Sequence, residues 1–198
     1  MSTSALIKII NNNSGIIRMS DVLHAGINRY TLYSMLEKGE LERISRGIYR
    51  LTNSSALSEP DLVIVASRIP NAVICLISAL SFHGLTTQIP HSISIALPTG
   101  VKTPKIDYPP ITTYSFNQES FEAGIETYTV DGLSIQIYNP EKTLVDCFKF
   151  RNKIGMNIVL EALKLHRERQ AMDVQKIMGY AKICRVSKVI KPYIEALL

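Results

Sequence analysis

The spacing of apolar residues along the chain predicts an α+β protein, on three observations. Residues 20–38 carry apolar positions at helical spacing on either side of Gly26. Period-two alternation follows in residues 41–51 and returns between Ser92 and Tyr138. From Asn139 onward the apolar spacing is helical again. Together these predict an N-terminal winged helix-turn-helix, then a mixed α/β C-terminal domain with a β-sheet of at least four strands and a helical C-terminal end. The small polar run TNSSALS at residues 52–58 is the connector, so the expected domains are 1–52 and 53–198.

In the first part, Ala5, Leu6, Ile9 and Ile10 predict a helix. The run NNNSG, whose fourth residue is Ser14, should stop it, because asparagine side chains compete for backbone hydrogen bonds. Ile16 and Ile17 suit a short strand joining a later hairpin. Ser20 is the expected N-cap of a second helix, Asp21 lies in its first turn, and Gly26 closes it. Ile27 should plug the core between two helices, and Asn28 should cap a third, from Arg29 to about Lys38, ending at Gly39. Leu32, Met35 and Leu36 share one face of that helix; Arg29, Tyr30, Tyr33 and Glu37, with Ser34 beside them, occupy the other. Past Gly39, Leu41, Arg43 and Ser45 alternate with Glu42 and Ile44, and Arg46-Gly47 turns the chain into Ile48. The tip of this hairpin is expected to present Arg43, Arg46 and Arg50.

These residue types fit nucleic acid. A recognition helix enters the major groove by its N-terminal end, where Arg29, Tyr30 and Tyr33 lie. An arginine fork reads guanine or grips phosphate, and tyrosine hydroxyls commonly bond phosphate. The candidate double-stranded DNA-binding set is Asn28, Arg29, Tyr30, Tyr33, Ser34, Arg43, Arg46 and Arg50. The alternative is a small helical bundle with a solvated basic edge.

The composition, 46% hydrophobic and 20% charged, is that of a globular protein. The net charge of +5 divides into +3 over residues 1–52, −4 over 53–150 and +6 over 151–198. Three widely spaced cysteines, Cys75, Cys147 and Cys184, suit a reducing compartment, and no apolar run approaches the ~20 residues of a membrane span. A cytoplasmic protein is expected.

In the second part, Pro60-Asp61 opens a helix that runs to about Arg68, and residues 76–83 suit a buried helix closed by Gly84. Ile93, Ile95 and Leu97 should face inward from a strand whose Ser94 and Ala96 face out, with Pro98 ending it. Residues 112–116 form another strand, and Asp131-Gly132 is a strong hairpin turn between 126–130 and 133–138. Asn139-Pro140-Glu141 starts a helix with Leu144, Val145 and Phe148 buried. Further helices are expected around Met156, Val159 and Leu163, around Val174, Ile177 and Ala181, and around Val189, Ile190 and Tyr193. Their basic residues suit a solvated face, or a surface touching DNA or an acidic partner.

No nucleophile–base pair, metal-ligand spacing or phosphate loop stands out, so no enzymatic activity, cofactor or metal is expected. Asp131, Glu141 and Asp146 could be imagined as a metal trio, but turn, helix N-terminus and exposed helix face are their expected roles.

Residues 26–51, GINRYTLYSMLEKGELERISRGIYRL, with SALSFHGLT at 78–86 and VDGLSIQIYNPEKTLVDCFKF at 130–150, resemble the AbiEi family of antitoxins and transcriptional regulators of type IV (abortive infection) toxin–antitoxin systems. The resemblance implies a repressor that binds inverted repeats in its own promoter, with a dimer on DNA as one arrangement, and counteracts a nucleotidyltransferase-like toxin encoded beside it, with or without direct contact. It places the DNA-contacting set on Arg29, Tyr30, Tyr33, Arg43 and Arg46. A stand-alone winged-helix regulator with a ligand-binding or dimerisation domain is the alternative.

Overall fold

Residues 3–13, 15–54, 56–169 and 172–197 are described in the computed structural model. Ser14 of the expected helix stop and Ser55 of the expected connector lie outside the described residues. The chain divides into two units, Met1–Pro70 with Tyr128–Ile135, and Asn71–Thr127 with Gln136–Leu198. The fold is α+β, with sheets of three and five strands and a helical C-terminal end.

The first unit runs α1 (Thr3–Asn12), β1 (Ile16–Arg18), α2 (Met19–His24), α3 (Arg29–Glu37), β2 (Leu41–Ser45), β3 (Ile48–Leu51) and α4 (Pro60–Arg68). Its small sheet has the order β1-β3-β2, with Ile16 opposite Arg50 and Arg18 opposite Ile48. Leu6, Ile10, Ile17, Val22, Ile27, Leu32, Met35, Leu41 and Tyr49 form its core. The expected N-cap of α2 is corrected: the helix starts at Met19, directly off β1, with Arg18 as an N-cap that makes no side-chain bond. Ser20 lies inside the helix, its hydroxyl donating to Asp21 Oδ1 at 3.3 Å.

The chain continues with β4 (Val73–Ile74), α5 (Leu76–Phe82), β5 (Ile93–Pro98), β6 (Ile111–Phe116), α6 (Gln118–Glu122), β7 (Ile125–Val130) and β8 (Leu133–Tyr138), of which the hairpin stretch Tyr128–Ile135 belongs to the first unit and the rest to the second. Five helices follow: α7 (Pro140–Lys149), α8 (Arg151–Ile154), α9 (Met156–Arg169), α10 (Val174–Ile183) and α11 (Ser187–Glu195). The larger sheet has the order β6-β5-β4-β8-β7. Its strands run mixed, β5 antiparallel to β4 and parallel to β6.

Two expectations about packing fail here. Strand β5 ends at Pro98 as expected, but it is buried on both faces rather than one. Ser94 and Ala96 are small because α5 packs close: the Ser78 hydroxyl on α5 accepts from the Ser94 N–H at 2.8 Å. Helix α7 is likewise buried along its length from Glu141 to Phe148, so Asp146 is not on an exposed face. Its carboxylate lies 2.6 Å from Lys142 Nζ, both side chains being fully buried. Asn139 caps α7 as expected, accepting from the Lys142 N–H at 2.9 Å. Among the described residues, no helix is long and apolar enough to cross a membrane.

Candidate nucleic-acid interface

The turn between α2 and α3 is fixed by local chemistry. Gly26 takes φ +69°, which lets its N–H reach the Leu23 carbonyl (3.0 Å) while the Ile27 N–H reaches Val22 (3.0 Å). Ile27 is thereby pushed into the core, 2% exposed. The Asn28 side chain accepts from the Tyr30 N–H at 2.9 Å and starts α3. The far end repeats the closure, with Gly39 N–H on Leu36 and Glu40 N–H on Met35. A nine-residue helix is thus defined at both ends before any packing is considered.

Packing then decides which face looks out. Leu32 and Met35 are buried. Asn28, Arg29, Tyr30 and Tyr33 are exposed, and Ser34 is half-buried. Tyr30 at 77% and Tyr33 at 47% exposure are large aromatic rings held in solvent. Burial of apolar area would ordinarily draw such rings inward, so their exposure marks a surface suited to contact.

The hairpin departs from a plain two-residue connection. A regular ladder from the Arg46-Gly47 turn would set Arg43 opposite Arg50 and Glu42 opposite Leu51. Instead a β-bulge between Arg43 and Ser45 shifts the register, so that Leu41 faces Leu51, Glu42 faces Arg50 and Arg43 faces Tyr49. The shift exchanges a like-charge opposition for an ion pair and matches apolar residues on the core face. Arg43 and Arg46 remain exposed. Arg43 Nε donates to the Ser45 carbonyl at 3.3 Å, and the Arg46 carbonyl accepts from Arg68 Nη1 at 2.9 Å.

Arg50 is not at the hairpin tip. It sits mid-strand, half-buried, paired with Glu42 through its Nε. It shares with Glu42, Arg43, Ile44, Leu57 and Pro60 the lining of a recess of about 270 Å³. Asp131 adds a second negative charge. Burial opposes its ionised form, but the Ser58 and Glu59 N–H groups, the Ser58 hydroxyl and the Arg50 charge together hold its carboxyl below the usual range. The Ser58 N–H lies 3.0 Å from Asp131 Oδ1 and the Glu59 N–H 3.1 Å from Oδ2. Sequence reading missed these partners; a bulge in the hairpin was the information needed to pair Glu42 with Arg50.

Residues 4–52 match the family model described as the AbiEi antitoxin transcriptional regulator. The AbiEi match spans most of α1 and runs through β3, so it contains the capped α3, its exposed Arg29, Tyr30 and Tyr33, and the bulged hairpin. The other two stretches that carried the AbiEi resemblance, at 78–86 and 130–150, lie outside the matched residues, and their side chains serve packing. His83 Nε2 lies 2.8 Å from the Tyr138 carbonyl, Asn139 caps α7, and Lys142 pairs with Asp146. The crystal structure of the RV2827C protein from Mycobacterium tuberculosis aligns over 91% of this chain and 77% of its own, at 14% identity and a TM-score of 0.49. No curated protein matches the sequence.

The acidic trio considered from sequence is divided among separate partners. Asp131 holds Ser58 and Glu59, Glu141 lies 2.9 Å from Lys176 Nζ, and Asp146 pairs with Lys142. Among the described residues, no group of three His, Cys, Asp or Glu side chains is placed to hold a metal ion.

Proposed function

We propose that residues 1–52 form a winged helix-turn-helix that binds double-stranded DNA, with α3 as the recognition helix and the β2–β3 hairpin as the wing. The observation that carries this reading is the exposed Arg29, Tyr30 and Tyr33 face of α3 within the segment that matches AbiEi regulators. Arg29 reads a base edge or phosphate near the helix start, the tyrosine hydroxyls bond phosphates, and Arg43 and Arg46 grip the backbone beside them. Asn28 and Ser34 support this surface, Asn28 chiefly by starting the helix. Arg50 contributes least, since Glu42 and Asp131 already balance its charge.

On this reading the chain is a cytoplasmic repressor and the antitoxin of a type IV toxin–antitoxin pair. It acts on inverted repeats in its own promoter and counters a nucleotidyltransferase-like toxin, with residues 53–198 as its second domain. Binding to the promoter region upstream of its own gene tests the first half. Arg29→Ala should lose about 1–3 kcal/mol of specific affinity. Arg46→Ala should weaken binding to every sequence and lower the salt slope by about 0.9. Arg50→Ala should lower thermal stability more than DNA affinity. Wild-type affinity at matched salt in both Arg29→Ala and Arg46→Ala would refute the interface. Co-expression with the product of the neighbouring gene tests the second half; unrelieved growth arrest by a toxic neighbour would refute the antitoxin role.

A further inference from the structure

We propose that Arg68, the last residue of α4, is a positioning residue for DNA binding: it pins the turn of the β2–β3 hairpin, so that Arg46 meets the phosphate backbone from a turn that is already ordered. The inference rests on the reading of residues 1–52 proposed above, and it extends that function beyond the matched residues 4–52. Arg68 and the hairpin both belong to the first unit.

Three consecutive carbonyls at the hairpin tip each accept a hydrogen bond. The Ser45 carbonyl accepts from Arg43 Nε at 3.3 Å, that of Arg46 from Arg68 Nη1 at 2.9 Å, and that of Gly47 from the Met19 N–H at 2.8 Å. The first bond lies within the hairpin and moves with it. The other two come from α4 and from the start of α2, so they fix the turn against the rest of the unit. An arginine in the last turn of a helix ordinarily offsets that helix's own C-terminal carbonyls. Arg68 donates instead to a backbone oxygen 22 positions earlier in the chain. It thereby holds the main chain of Arg46 and leaves the Arg46 side chain exposed.

The base from which Arg68 reaches is itself fixed. Helix α4 buries Leu62, Val63, Ile64, Val65 and Ser67. At its start Asp131 accepts from the Ser58 and Glu59 N–H groups, and Pro60 lines the recess beside Arg43 and Ile44. The helix therefore meets the wing at its start and again at its end. A turn ordered before binding loses less freedom when it takes up a phosphate, and such preorganisation raises affinity without adding a contact.

The test is a double-variant cycle in the full chain, read as affinity for the promoter duplex at matched salt. Arg68→Met removes the donor and should weaken binding about two- to tenfold, the range for ordering one long side chain on association. The salt slope should fall by less than half of the about 0.9 that a lost phosphate contact removes. In an Arg46→Ala background the same change should cost less than about twofold, because the residue it positions is gone. Arg68→Lys, which can still donate, should recover most of the loss. In the chain without DNA, Arg68→Met should lower the backbone amide order parameters of Arg46 and Gly47 from about 0.85 toward about 0.6. Its Tm should stay within about 2 °C of wild type, as for other exposed changes. Equal losses in the two backgrounds, unchanged order parameters, or a slope lowered by about 0.9 would overturn the positioning role. If Arg29→Ala weakens binding and Arg68→Met does not, the positioning role is overturned and the recognition-helix reading stands. If neither Arg29→Ala nor Arg46→Ala weakens binding, that reading falls and the positioning role falls with it.

Discussion

Asp146→Ala is expected to be among the most destabilising single changes in the second unit. Lys142 Nζ and Asp146 Oδ2 are 2.6 Å apart and neither side chain is exposed to any extent. Removing the carboxylate leaves an ammonium buried without its counter-charge, which costs about 3–5 kcal/mol in proteins generally. Lys142 Nζ also lies 4.1 Å from the Tyr138 ring centroid and 4.9 Å from that of Phe116, contacts that the variant keeps and that therefore cancel in the comparison. The expected loss is at the lower end of that range, about 3 kcal/mol. At roughly 2–4 °C per kcal/mol for a chain of this size, Tm falls by about 6–12 °C. Urea denaturation of wild type, Asp146→Ala, Lys142→Met and the double variant Lys142→Met, Asp146→Leu would measure it. The double variant should return to within about 2 kcal/mol of wild type, since two apolar side chains leave no stranded charge. A single variant within about 1 kcal/mol of wild type, or a double as unstable as the single, would refute the reasoning.

Two further predictions concern folding. Asn28→Ala removes the side-chain acceptor 2.9 Å from the Tyr30 N–H and should destabilise the first unit by about 1 kcal/mol, read as a lower urea midpoint; Asn28→Ser should recover most of it. His166 is fully buried with neither ring nitrogen hydrogen-bonded among the described residues, and burial holds its imidazole below the ordinary range, as it does for His83. An unfolded histidine protonates near pH 6.5, so the stability from keeping these rings neutral is fully present above about pH 6.5 and is lost as pH falls below it. His166→Leu should flatten that decline without lowering stability at neutral pH. An unchanged pH profile would show that His166 does not contribute to it.

The first unit was largely legible in the sequence because its signals are local. Gly26, Asn28 and Gly39 each act within five residues, and the spacing of Leu32 and Met35 assigns the faces of α3. What escaped depends on register or on distant partners. The bulge beside Ile44 reverses the neighbours of Arg50, and Asp131 reaches residues 72 and 73 positions away. In the second unit the alternation of β5 suggested one buried face, whereas its small residues mark the approach of a helix. Asp146 looked like a solvent-facing residue because alone it would be; only its pairing with the buried Lys142 makes the interior tolerable. The two-residue strand β4 lies in an apolar run too short to divide by period.

The double closure of α3 also bears on how such a protein changes over generations. Its ends are set by Asn28 and Gly39, and its attachment to the unit by Leu32 and Met35. The outward positions Arg29, Tyr30 and Tyr33 share neither duty. Substitutions at such exposed sites usually shift stability by less than about 0.5 kcal/mol. The outward face can therefore diverge in many single steps while the scaffold stays folded, so that, on the function proposed above, related chains with the same caps and core would come to read quite different sequences.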